Sequence, residues 1–175
     1  MTYRTHKGFT LLEMIVTITT LALLGMLLTP YLTLSVRAYN DNAATLGVVG
    51  ELRYASERIV RELREIRRKP SSVSEYDIAT PLSTTNIKFL RNDGETVTIE
   101  ASPPQLNLRY QSVSSNDPFP LSASLQGLTF NYLQNDGIAT AVGSDDVAYI
   151  EFEIQLVSNG QTYSQRSRVA LRAQP

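Results

Sequence analysis

Residues 7–36 read KGFTLLEMIVTITTLALLGMLLTPYLTLSV. From Met14 to Val36 there are 23 residues without a charge, and at about 1.5 Å per residue a helix of that length crosses a hydrocarbon core of roughly 30 Å. The run predicts a membrane-spanning helix over residues 9–36. A secretory signal peptide would have a shorter apolar core, roughly 7 to 15 residues, followed by a small-x-small site; neither occurs. Arg4 and Lys7 precede the run and a net acidic body follows it, so the positive-inside rule puts the N-terminus in the cytoplasm and the body outside. Glu13 conflicts with this apolar setting, because a carboxylate at mid-bilayer costs about 2.5 to 3.5 kcal/mol on insertion scales. It falls in the first helical turn, where free amide N–H groups and the positive end of the helix dipole soften that cost.

A chain of 175 residues with 19% charged and 42% hydrophobic residues fits one modest domain carrying an apolar segment. Its formal net charge of −1 is unevenly spread. Residues 51–69 hold seven Lys/Arg against four Glu, whereas residues 70–175 hold six Lys/Arg against eleven Asp/Glu. A basic stem joins an acidic body, and the acidic body disfavours a polyanion, so no nucleic-acid partner is expected. Cysteine is absent and His6 is the single histidine. These counts exclude a disulfide framework, Cys-ligated zinc and a thiolate nucleophile. If the segment ahead of the apolar run is removed, no imidazole remains for a hydrolytic triad.

Gly8 follows Lys7, Phe9 follows Gly8, Glu13 is fifth counting from Phe9, and Pro30 is twenty-second on the same count. This pattern is similar to the N-terminal signature of the type IV pilin and pseudopilin family. The resemblance implies that a membrane-embedded prepilin peptidase removes residues 1–8 after Gly8 and methylates the new N-terminal Phe9. It also implies that Glu13 serves assembly, its carboxylate meeting the Phe9 ammonium of a neighbouring subunit inside an apolar bundle. An α-amino group ordinarily titrates at about 7.7 to 8.0, which leaves it mostly cationic at neutral pH. Pro30 removes one helical hydrogen bond and sets its ring against the carbonyl of Met26. A kink or local melting between Gly25 and Pro30 is expected; it is either a tolerated membrane-helix kink or, as the resemblance implies, a segment that bends when subunits enter a filament.

Leu46, Val49, Leu52, Ser56, Ile59, Leu63 and Ile66 recur at helical spacing and predict an amphipathic stem helix from about residue 42 to Arg68, within a stem of residues 37–69. Glu57 with Arg61, and Glu65 with Lys69, are spaced as i,i+4 pairs. Pro70 and the serines beyond it should end the helix. The cluster Arg64, Arg67, Arg68 and Lys69 reads as a solvated, cationic helix end.

Residues 70–175 change to strand periodicity. NIKFLRNDGETVTIE (86–100) reads as a hairpin with Gly94 in the left-handed position, placing Ile87 opposite Ile99, Phe89 opposite Val97 and Arg91 opposite Glu95. LTFNYLQNDGIATAV (128–142) repeats the Asn-Asp-Gly signal and predicts a second, weaker hairpin. VAYIEFEIQLVSNGQTYSQRSRVALR (147–172) predicts a long hairpin about Asn159-Gly160, with Ala148, Ile150, Phe152, Ile154 and Leu156 covering the stem. That turn sets Glu151 against Arg168 and Glu153 against Arg166. As structural ion pairs, the two carboxylates stay ionised and do not form a glycosidase pair. Asp93 and Asp136 read as turn formers. Asp145 and Asp146, beside Gly143 and Ser144, read as solvated acids without EF-hand spacing.

The expected fold is therefore α+β: a long N-terminal helix packed on an antiparallel β-sheet domain. The resemblance implies the same pilin-like layout. It points to the larger minor subunits, namely the J-type pseudopilins, the W-type minor pilins and the O-type subunit of the MSHA pilus, through LRYASERIVRELREIRR (52–68) and a cysteine-free strand domain. The function implied is initiation or capping of a type IV pilus, an MSHA-like pilus or a type II secretion pseudopilus. The implied setting is the bacterial inner membrane, single-pass, with the body in the periplasm. Implied partners are prepilin peptidase, other pilins or pseudopilins, the inner-membrane assembly platform and inner-membrane lipid. No catalytic activity, cofactor or metal is expected. Two alternatives stand beside this reading: a tip-located binding or adhesion module, and a signal-anchored domain of unrelated function.

Overall fold

The computed structural model describes residues 10–70, 75–112 and 118–171. One helix, α1, runs from Leu11 to Arg64, and seven strands follow. These are β1 (Asn86–Leu90), β2 (Thr96–Ser102), β3 (Gln105–Tyr110), β4 (Phe119–Ser122), β5 (Leu125–Leu133), β6 (Tyr149–Ser158) and β7 (Gln161–Ala170). They form two antiparallel sheets, β1-β2-β3-β4 and β5-β6-β7, each a meander in chain order. The α+β class is as the sequence predicts, with two sheets in place of one.

The chain divides into two compact units, residues 1–43 and 44–175. In the first, α1 passes through Pro30 without interruption, so the local melting expected between Gly25 and Pro30 does not occur. Thr29 Oγ1 donates to the Gly25 carbonyl at 2.7 Å, and Thr33 Oγ1 to the Thr29 carbonyl at 3.0 Å. Such back-bonded hydroxyls keep their polar groups inside the helix, as an apolar solvent requires. Every residue from Thr10 to Ala43 is exposed, and α1 is long and apolar enough to cross a membrane.

In the second unit, Val48, Leu52, Ala55, Ile59 and Leu63 form the buried stripe of α1, at steps of four and three. Leu46 and Val49, expected on that stripe, are exposed instead, at 73% and 45%. The helix stops at Arg64 rather than Arg68. Its last turn tightens, with the Glu65 N–H donating to the Glu62 carbonyl at 3.1 Å, and the chain then becomes extended. Arg67 N–H donates to the Leu90 carbonyl at 2.8 Å, and Asp77 N–H returns to the Arg67 carbonyl at 2.9 Å. Ile66 is therefore buried beside β1 as an extended residue, bridged to Arg91.

The predicted cross-strand pairs Ile87 with Ile99 and Phe89 with Val97 are present. Arg91 and Glu95 meet through the backbone, N–H to carbonyl at 2.8 Å, around Gly94 at φ 87°. The second predicted hairpin is reduced to a turn. Gly137 has φ 70°, and Leu133 and Thr140 make a single bridge, but residues after Thr140 leave the sheet and β5 pairs with β6 instead. The β6–β7 hairpin has the predicted register over ten pairs, with Asn159 and Gly160 at φ 49° and 75°. Both signs are those of a type I′ turn. Ile150, Phe152, Ile154 and Leu156 are fully buried and form the centre of the core. Ser167 of β7 touches α1 through a hydroxyl contact with Ser56 at 3.0 Å.

Candidate functional site

Gly8 and Phe9, the expected processing residues, lie outside the described residues. The helix start just beyond them is well defined. Thr10 is its N-cap: Thr10 Oγ1 accepts from the Glu13 N–H at 3.3 Å, and the Thr10 carbonyl accepts from the Met14 N–H at 3.2 Å. Thr10-Leu11-Leu12-Glu13 therefore has the Ser/Thr-x-x-Glu spacing of a capping box, and Glu13 sits at the third helical position. Its place in the first turn is as the sequence predicts, whereas the Thr10 cap is not predicted, although its Ser/Thr-x-x-Glu spacing ahead of an apolar run is the signal that marks it. Glu13 makes no ion pair among the described residues and is exposed. The carboxylate is thus fixed at the positive end of α1, among Leu11, Leu12, Met14 and Ile15, all more than half exposed. A cation presented by an adjoining apolar helix could reach it.

The carboxylates in the body have structural partners. Glu151 and Glu153 stand opposite Arg168 and Arg166 as predicted, but the ionic pairing differs. Both arginines bond to Glu151: Arg168 Nη2 donates at 3.0 Å and Arg168 Nε at 3.2 Å, while Arg166 reaches diagonally across the ladder to the other oxygen. Glu153 instead accepts from Gln155 Nε2 at 3.0 Å, so the expected Glu153–Arg166 ion pair is absent. Burial draws both cations to Glu151, whose side chain is 9% exposed, since a desolvated carboxylate needs partners most. Burial raises its pKa, and the hydrogen bonds and charges of Arg166 and Arg168 more than offset this, leaving it below the ordinary carboxylate value. Glu151 consequently lacks the raised pKa of a general acid.

The basic cluster after α1 is similarly occupied. Arg67 Nη2 donates to Asp77 Oδ2 at 2.6 Å, Lys69 pairs with Glu75, and the Arg68 guanidinium lies 5.5 Å from the Tyr76 ring centre. These contacts replace the predicted Glu65–Lys69 helix pair; of the predicted solvated, cationic helix end, Arg64 remains, exposed in the last turn of α1. On α1 itself the pairs are Arg53–Glu57 and Arg58–Glu62 rather than Glu57–Arg61.

A polar knot that helical spacing does not announce lies at the end of α1. Glu62, 3% exposed, accepts from Tyr110 Oη at 2.6 Å and pairs ionically with Arg58 Nη2 at 3.0 Å, which itself donates to Tyr110 Oη at 2.5 Å, and Arg91 Nη1 approaches the other Glu62 oxygen at 3.5 Å. Burial, followed by the bond to Glu62, raises the Tyr110 pKa. The one signal in the sequence is a lone charge three residues beyond Ile59, on the buried stripe.

Asp93 and Asp136 act as turn formers. Asp93 Oδ1 accepts from the Glu95 N–H at 3.0 Å, and Asp136 Oδ1 from the Ile138 and Ala139 N–H groups at 2.9 Å each. Asp145 and Asp146 are exposed in the β5–β6 connection, and the Asp146 N–H donates to the Gly143 carbonyl at 3.2 Å. Among the described residues no three His, Cys, Asp or Glu side chains converge as a metal-binding group. Neither a family model nor a curated protein matches the chain.

Proposed function

We propose that this protein is a minor pilin or pseudopilin, a structural subunit cut by prepilin peptidase after Gly8 and assembled through its N-terminal helix. The observation carrying this reading is Glu13 at a fixed offset from the Gly8-Phe9 junction, at the capped start of an apolar helix whose described residues up to Ala43 are all exposed. Unpaired, the Glu13 carboxylate resists burial in lipid or in a helix bundle. A freshly made Phe9 ammonium on a neighbour neutralises it and sets the axial register between helices. Arg4 and Lys7 must leave first, because they would bring uncompensated charge into the bundle. The exposure of Leu46, Val49 and Tyr54 outside the core-facing stripe of α1 suits a stem that packs beside other subunits. In this reading the protein is non-enzymatic. Its partners are the peptidase, other pilins or pseudopilins, the assembly platform and the inner membrane, from which it enters a filament as an initiating or capping subunit.

The test is intact mass and N-terminal sequencing of the protein from its native membrane, with and without prepilin peptidase. The expected product lacks residues 1–8 and carries a methyl group on Phe9. Persistence of the octapeptide in cells with active peptidase overturns the proposal. Glu13→Ala should be processed normally but recovered poorly in filaments; equal incorporation removes Glu13 from assembly.

A further inference from the structure

β7 is the outer strand of its sheet, and its free side has the properties of a docking edge. The two-residue turn makes Ser158–Gln161 a hydrogen-bonded pair, so odd-numbered residues of β7 bond to β6. The Leu171 N–H donating to the Ala148 carbonyl at 2.9 Å continues that parity. Thr162, Ser164, Arg166, Arg168 and Ala170 consequently direct their backbone N–H and C=O groups outward, over about 27 Å at roughly 3.4 Å per residue. Long edges are usually blunted by proline, a bulge or charges standing over the edge. β7 contains neither proline nor glycine, and its ten-pair register is unbroken. Its two arginines are drawn back over β6 to Glu151.

A strand added here would lie about 4.8 Å beyond β7. That position overlies a groove of about 590 Å³ between β7 and the last turns of α1, lined by Ser56, Val60, Arg61, Arg64, Gln165 and Ser167 among others. Val60 packs against the core beneath it. Arg61 and Arg64 are exposed and make no ion pair among the described residues. Of the carboxylates at the groove, Glu57 is held by Arg53, leaving Glu65 against two free guanidinium groups. A second copy of β7 is a poor occupant. Full-overlap antiparallel pairing of two such edges is centred on Arg166 and sets that arginine directly against its own copy, and like charges directly opposite each other destabilise a ladder.

We infer that the free edge of β7 takes an extended acidic segment of another protein as an added strand, with alternate carboxylates turned into the groove toward Arg61 and Arg64. This goes beyond the pilin reading and does not depend on it. Backbone pairing provides the affinity, and the groove selects for acidic side chains.

The test places a photo-crosslinking residue at Thr162 and, separately, at Ser164 in the full chain in its native membrane, and sequences the linked peptides. Both sites should trap one acidic segment of one partner, with the linked residue moving by about two positions as the probe moves by two along β7. With the probe at Thr162, Ser164→Pro should abolish the adduct, because it deletes an outward N–H and leaves the β6–β7 ladder intact. Arg61→Glu with Arg64→Glu should lower the adduct about tenfold, and it keeps the test available if the proline variant fails to fold. No adduct, an adduct to a second copy, the same partner residue trapped from both sites, or a yield indifferent to the arginine reversals overturns the inference.

Discussion

Replacing Glu151 and Glu153 separately by alanine tests whether ionic partners follow burial or strand register. In a register-matched ladder the two glutamates would each lose one arginine and cost similar amounts. Here Glu151 holds both, with its own side chain 9% exposed and those of Arg166 and Arg168 64% and 48% exposed. Hydrogen bonds to charged groups contribute about 1.5 to 3 kcal/mol when buried, and exposed ion pairs about 0.2 to 1. A buried acceptor with half-exposed donors lies between, at about 1 kcal/mol for each arginine. Glu151→Ala should therefore cost about 2 kcal/mol, lowering Tm by roughly 6 to 8 °C in a domain of this size. Glu153→Ala, losing one half-buried hydrogen bond from a neutral amide and no ion pair, should cost less, about 0.5 kcal/mol. The assay is denaturant unfolding of the chain in detergent, followed by tyrosine near-ultraviolet circular dichroism. Double-mutant cycles should give Glu151 and Arg166 a coupling of about 1 kcal/mol and Glu153 and Arg166 almost none. Equal losses for the two alanine variants, or the larger coupling at Glu153, would refute the reasoning.

Glu62→Leu should destabilise by about 1 to 2 kcal/mol, since it removes the acceptor of Tyr110 and the anion shared by Arg58 and Arg91, which are part-exposed and keep Tyr110 and Asp93 as partners. Tyr110→Phe should cost about 1 to 2 kcal/mol in the same unfolding assay. The carboxyls of Glu151 and Glu75 are both held below their ordinary value of 4.5, so the native state binds these protons less readily than the unfolded chain. Their stabilisation is complete above that value and is lost as pH falls through the native pKa values; unfolding series should be level down to about pH 5 and decline below it. Glu151→Gln should flatten that decline. Asn159→Ala forces a Cβ-bearing residue without a compensating side chain into φ 49° and should cost about 1 to 2 kcal/mol, read as a lower denaturant midpoint.

Periodicity predicts what local geometry controls. The β1–β2 and β6–β7 registers are legible because Asp93-Gly94 and Asn159-Gly160 specify their turns and alternating burial selects one register. The end of α1 is not legible. Ile66 continues the helical spacing, yet the Arg67 N–H donates to the Leu90 carbonyl and the Arg67 carbonyl accepts from the Asp77 N–H in an extended ladder, a gain that local propensity does not register. Leu46 and Val49 are misplaced by spacing because the first turns of the stem are apolar on more than one side, and only the sheets determine which side is covered. The short strands β3 and β4 are not individually recognisable; β4 contains Pro120 within FPLS, and its register against β3 shifts at Leu106/Asn107. At the candidate site, Glu13 and Pro30 stand out as misfits in an apolar run. The Glu62 knot does not, since it becomes meaningful only with its partners, and the Thr10 cap is legible only through its Ser/Thr-x-x-Glu spacing to Glu13.

The position of β6 within the chain constrains how the molecule is made. A ribosome releases α1 first, but the strand that supplies Ile150, Phe152, Ile154 and Leu156 to the centre of the core begins only at Tyr149. Until Ser158 has been synthesised, the apolar stripe of the stem and the inner face of β5 lack their central neighbour. Nascent chains stalled before that point will be protease-sensitive and dependent on holding factors, whereas completion of the final hairpin closes the interior in one step.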